Sequence, residues 1–157
     1  MARPAPMNKE NADKQSIRSE LESLRAANEL IEINVPVDRE FELSAILERQ
    51  GQGPAIRFTS VKGYDGPVVG NLLSSRAKMA FLLGVEQSEL LTKLVRAIDH
   101  PIPPVLSASA ACQQEVHSKD FDLLKLFPLG RQCVREQGPY ITAGVFITKD
   151  PATGWQN

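Results

Sequence analysis

The residues best equipped for chemistry in this chain are few and widely spaced. Cys112 and Cys133 are the two thiols, and His100 and His117 the two imidazoles. The cysteines are too far apart for a CxxC redox pair and too few for a disulfide framework. Neither has a histidine or carboxylate beside it in sequence to activate it, so both read as small buried apolar residues. The histidines, 17 positions apart, read as satisfied surface or core residues rather than metal ligands. Gly51 and Gly53 lack the third glycine and the strand-to-helix setting of a dinucleotide loop. No phosphate-binding loop, HExxH helix or GxSxG elbow occurs. Glu10, Glu20, Glu22, Glu29 and Glu32 fall on solvated faces. No nucleophile–base pair can be named from residue types and spacing.

The elements that would position any site are more legible. Residues 1–15 are polar and aperiodic, the expected composition of a frayed tail. Ser16 is a candidate N-cap for a helix carrying Ile17, Leu21 and Leu24 and ending near Asn28. Leu30–Val35 alternates as a strand that Pro36 closes, and Glu40–Gln50 is a second amphipathic helix. Short strands are expected at Ala55–Phe58 and Val68–Leu73. Ser74 or Ser75 then caps a helix with Met79, Phe81, Leu82 and Leu83, which Gly84 stops. Leu90, Leu91, Leu94, Val95 and Ile98 form the apolar face of a helix over 87–99. Pro101, Pro103 and Pro104 mark a boundary.

Beyond that boundary Gln113–His117 is a strand candidate, and Asp122–Phe127 a helical turn. Tyr140–Lys149, rich in β-branched and aromatic residues, reads as the best strand of the chain. Asp150-Pro151-Ala152-Thr153-Gly154 is a hairpin turn, after which three residues remain. Ten outgoing residues span about 33 Å and three returning ones about 10 Å. One edge of 140–149 is therefore expected to lack a partner, so that the chain pairs elsewhere or is the first part of a longer fold.

The chain has 157 residues, 42% of them hydrophobic, with 18 basic against 19 acidic side chains. That length allows one domain, or one and part of another. A net charge of -1 gives no support to nucleic-acid binding. No apolar run approaches the roughly 20 residues of a membrane span, and the N-terminus lacks a secretory signal. A cytoplasmic protein is the expectation.

Seven stretches, in order and spacing, resemble the UbiD-type reversible decarboxylases. The first is an opening pattern that runs from Glu20-Leu21 through Leu30–Ile33 and Val37-Asp38 to Glu42–Ile46. Gly53–Phe58, Val61–Tyr64 and Pro67–Leu72 follow as GPAIRF, VKGY and PVVGNL. Cys112–Val116, Asp120–Leu123, and Tyr140–Gly144 continuing to Thr148–Pro151 complete the set. The resemblance implies an α/β (α+β) fold: a tail over 1–15, a small N-terminal α/β domain over 16–104, and the first strands of an incomplete flavin-binding split β-barrel over 105–157. It also implies non-oxidative decarboxylation of aromatic or α,β-unsaturated carboxylic acids. Prenylated FMN would be the cofactor, with Mn2+ at its phosphate and a monovalent cation beside it. Asn157 matches the asparagine that begins the cofactor site and ligates the divalent metal; its amide oxygen is a suitable hard donor. Trp155 matches the position whose main-chain carbonyl faces the monovalent cation. The other ligands and the Glu–Arg–Glu acid/base group would lie beyond residue 157, so the chain alone is expected to be inactive and to bind none of these groups. The alternative is a non-catalytic interaction module, or a subunit pairing with a separately encoded decarboxylase portion.

Overall fold

The computed structural model describes residues 16–103 and 114–155. Its core is a three-stranded sheet in the order β1 (Leu30–Ile33), β2 (Ala55–Phe58), β3 (Val68–Gly70). β1 and β2 are parallel, in register Leu30↔Ala55 to Ile33↔Phe58, while β3 runs antiparallel to β2. A parallel pair needs a crossover connection, and helix α2 (Glu42–Gln50) supplies it.

Alternation along β2 sends its side chains to two cores. Ala55 packs with Leu24 of α1 (Ile17–Ala26) and with Phe81 and Leu82 of α3 (Arg76–Leu82). Ile56 and Phe58 face the other way, onto Leu43, Ile46 and Leu47 of α2, with Val37 and Val61 sealing the edge. Phe58, Leu24 and Val37 are the largest fully buried side chains. On the α1 side Glu32 stands opposite Arg57 in the β1–β2 register, and it accepts from both Arg57 and Arg25 at 2.7 Å.

The helix ends follow their local sequence. Ser16 caps α1 through Ser19, each side chain taking the other's backbone N–H. Ser75 caps α3 by accepting from Lys78 N, and Gly84 follows at φ +65. Helix α4 (Leu90–Asp99) is set differently: only Leu90 is buried, while Leu91 and Ile98 are 72% and 78% exposed. A last short helix, α5 (Leu123–Leu126), is capped by Asp122, whose side chain accepts from Leu124 N.

Three expectations are corrected. Tyr140–Lys149 forms no strand; it is irregular, with a single bridge position at Lys149. Val145, Phe146 and Ile147 are exposed. A strand is stabilised by cross-strand neighbours, and no neighbouring strand flanks this segment among the described residues. The described part of the second strand candidate, 114–117, is likewise irregular, while Gln113 lies outside the described residues. Cys133 is exposed rather than buried, because it sits in a turn whose chain lies on the surface. Cys112 and the tail 1–15 lie outside the described residues.

Candidate functional site

Two polar clusters among the described residues bear on a site. The first is built on α3, where Lys78, Phe81 and Leu82 recur at helical spacing on the inward face. Lys78 is therefore buried, at 5% exposure. Its ammonium donates to Gly53 O at 2.5 Å, Ser74 Oγ at 2.8 Å and Asn71 O at 3.0 Å. Those three acceptors belong to the turn after α2 and the loop after β3, so one side chain ties two loops to a third element. Asn71 completes the tie, donating its amide to Leu47 O and Gly51 O at the end of α2.

Burial pushes the Lys78 ammonium below the ordinary lysine value, with Glu29 opposing that shift by its charge. An amine acts as a nucleophile only with a free lone pair. Here all three N–H groups are committed to acceptors, so the geometry holds the charged form and describes a structural tie. A cavity of about 190 Å3 lies alongside, lined among others by Glu29, Gln52, Lys78, Phe81 and Glu86. Residue spacing had not singled out Lys78; its position four before Leu82 on an apolar helical face is the signal that marks it.

The second place is the turn after residue 149. Asp150 Oδ1 accepts from Ala152 N at 2.7 Å and Thr153 N at 3.1 Å, bonds that hold its carboxyl below the usual carboxylate range. Gly154 takes φ +74. Asp150 N then donates to Trp155 O at 2.8 Å, closing the turn as expected. Trp155 is 80% exposed, and its carbonyl already accepts one hydrogen bond. Asn157 lies outside the described residues. Among the described residues no hydrogen bond joins Trp155 to Lys78, His100 or His117. His100 is the exposed residue ending α4, and His117 is exposed in irregular chain.

No group of three or more His, Cys, Asp or Glu side chains suited to a metal ion occurs among the described residues. A hard divalent cation takes about six oxygen ligands. The carbonyl of Trp155 on this exposed turn would supply one such oxygen. No helix among the described residues is long and apolar enough to cross a membrane.

Comparison with known proteins decides the family. The model of the 3-octaprenyl-4-hydroxybenzoate carboxy-lyase N-terminal domain matches residues 21–98, and that of the Rift-related domain of the same carboxy-lyases matches residues 104–157. The chain belongs to the UbiD family. Within this family, anhydromevalonate phosphate decarboxylase of Methanothermobacter thermautotrophicus is 32% identical over 133 residues, covering 85% of this chain and 30% of that protein. The UbiD-class enzyme HmfF of Pelotomaculum thermopropionicum, solved with FMN, superposes on 91% of this chain with a TM-score of 0.84 and 32% identity. An evolved dimeric form of it, solved with prFMN, gives the same TM-score over 90%. Vanillic acid decarboxylase ShVdcCD of Sedimentibacter hydroxybenzoicus, in its closed form, superposes with a TM-score of 0.76 at 30% identity over 86% of this chain. The chain spans about a third of the length of these relatives: 33% of HmfF and 31% of the vanillic acid decarboxylase chain. The UbiD-type α/β expectation for the N-terminal region thus holds.

Proposed function

We propose that this chain supplies the N-terminal α/β domain (16–104) and the opening of the cofactor domain (105–157) of a UbiD-type carboxy-lyase. The reaction would be non-oxidative decarboxylation of an aromatic or α,β-unsaturated carboxylic acid with prenylated FMN. The superposition on HmfF over nine-tenths of this chain carries the reading, because HmfF was solved with FMN and, in evolved form, with prFMN. In this reading Asn157 is the first protein ligand to Mn2+, and the Trp155 carbonyl faces the monovalent cation. The opening of the cofactor domain would become part of a split β-barrel once its remaining strands are supplied. A cytoplasmic setting suits such an enzyme.

The chain alone would then neither hold prenylated FMN nor release CO2. Its exposed turn offers one carbonyl where a complete site needs several oxygens. Purifying it from cells that make the cofactor tests this. Flavin-type absorbance is expected to separate from the protein on gel filtration; absorbance that stays with the chain would refute the reading. With the family's remaining two thirds joined after residue 157, Asn157→Ala should reduce bound manganese while leaving the chain folded.

A second reading has its own support. Leu91, Leu94, Val95 and Ile98 line an uncovered face of α4, and Val145, Phe146 and Ile147 are exposed in the cofactor-domain segment. Uncovered apolar surface on this scale marks an interaction site. A subunit pairing with a separately encoded decarboxylase portion would cover it. Co-purification of the two separately expressed portions supports that reading, and failure to associate at micromolar concentration rejects it.

A further inference from the structure

Among the described residues, the chain from α5 onward meets the N-terminal domain at the turn 38–44 that starts α2. Phe41 N donates to Arg131 O at 3.0 Å. Ser44 Oγ lies 2.9 Å from Phe41 O and 3.1 Å from Gln132 O, sharing its proton between them. Arg39 Nη1 donates to Leu124 O at 2.7 Å. The Arg131 guanidinium lies 5.1 Å from the centre of the Phe41 ring and donates from Nε to Glu40 at 2.8 Å. At Gly130 the two backbones approach so closely that a Cβ would fall 2.0 Å from Arg39 O.

The receiving turn is unusual in two respects. Phe41 has φ +64 with ψ −37, a left-handed, γ-turn-like conformation that bulky L-residues rarely adopt, with Glu42 N donating to Glu40 O at 2.8 Å across it. It also occupies the N-cap position of α2 and makes no side-chain cap bond. Its own N–H, a donor the helix cannot satisfy internally, is taken by a carbonyl 90 residues further along the chain. Strained backbone persists where its surroundings over-determine it. Here the surroundings are the Arg131 carbonyl, the Arg131 side chain over the ring, and the Gly130 close approach.

We propose that the turn 38–44 is the docking site through which the N-terminal domain holds the opening of the cofactor domain. Its occupant is Leu129–Gln132 of the same chain, and docking maintains the left-handed Phe41 that starts α2. The two events form one coupled element. Because Leu43, Ile46 and Leu47 of α2 pack on the Phe58 core, displacement of Leu129–Gln132 is felt at the first turn of α2 before it reaches the sheet. Docking here involves no cofactor.

Residue-resolved amide exchange on the whole chain tests it. Gly130→Ala and Arg131→Ala should each speed exchange at Phe41 and Ala45 about tenfold, with Ile56 in β2 unchanged as the reference for global stability. Should Gly130→Ala fail to fold, Arg131→Ala, on a half-exposed side chain, decides alone. Glycine adopts φ +64 freely, so in a Phe41→Gly background Arg131→Ala should change Ala45 exchange by less than about twofold. Unchanged Phe41 exchange in the folded variants, or an equal effect of Arg131→Ala in both backgrounds, would overturn the coupling.

Discussion

Lys78 illustrates how a reactive residue type becomes a fastener. Its stem packs on the inner face of α3, and its head replaces three water contacts with Gly53 O, Asn71 O and Ser74 Oγ. Lys78→Met keeps the stem and strands those acceptors. A destabilisation of about 1–3 kcal/mol is expected from chemical denaturation, the range for leaving buried polar groups unpaired. Glu32 gives a second residue-scale prediction, this one in pH. Its hydrogen bonds from Arg57, then Arg25, hold its carboxyl below the ordinary 4.5. A carboxyl lowered by folding contributes stability above its unfolded value and loses it as pH falls through the folded value. Wild type should therefore exceed Glu32→Gln in stability near pH 7, and the gap should close as pH falls below 4.5 through the folded value. The gap will be small, because the pair is exposed and screened. A gap that widens on acidification would contradict the assignment.

At the scale of elements, α4 and the 140–149 segment share one condition: each carries exposed apolar side chains. Leu94→Lys with Ile98→Lys should reduce self-association of the isolated chain, read as later elution and a lower sedimentation coefficient, with the circular dichroism unchanged. No change in association would mean the α4 face is not what drives it. The same condition explains what was legible in the sequence. Ser16 and Ser75 caps, the Leu30–Ile33 and Ala55–Phe58 strands and the Gly84 stop depend on neighbours a few residues away or on one dense core, and these were readable. Tyr140–Lys149 has the composition of a strand, yet composition reports only how well residues would fit a pleated neighbour. The Arg131–Phe41 contact spans 90 positions, and nothing local in either segment announces it. Cys133 went the other way for the same reason: burial depends on what folds over a residue, and its turn lies on the surface.

Seen whole, the molecule is a UbiD-family chain that spans about a third of its solved relatives. Its N-terminal sheet carries two cores and serine caps on α1 and α3, while the segment from residue 114 onward meets it at the turn 38–44. Family membership rests on the two family models matched over residues 21–98 and 104–157. Trp155 is exposed on the turn after residue 149, and Asn157 lies outside the described residues. Complementation addresses the proposed activity most directly. The chain would be co-expressed with a polypeptide carrying the family's remaining two thirds, in cells producing prenylated FMN, and CO2 release from an aromatic carboxylic acid measured for each portion and for both. The account predicts release only when both are present. Release by this chain alone, or by the other portion equally well without it, would contradict it.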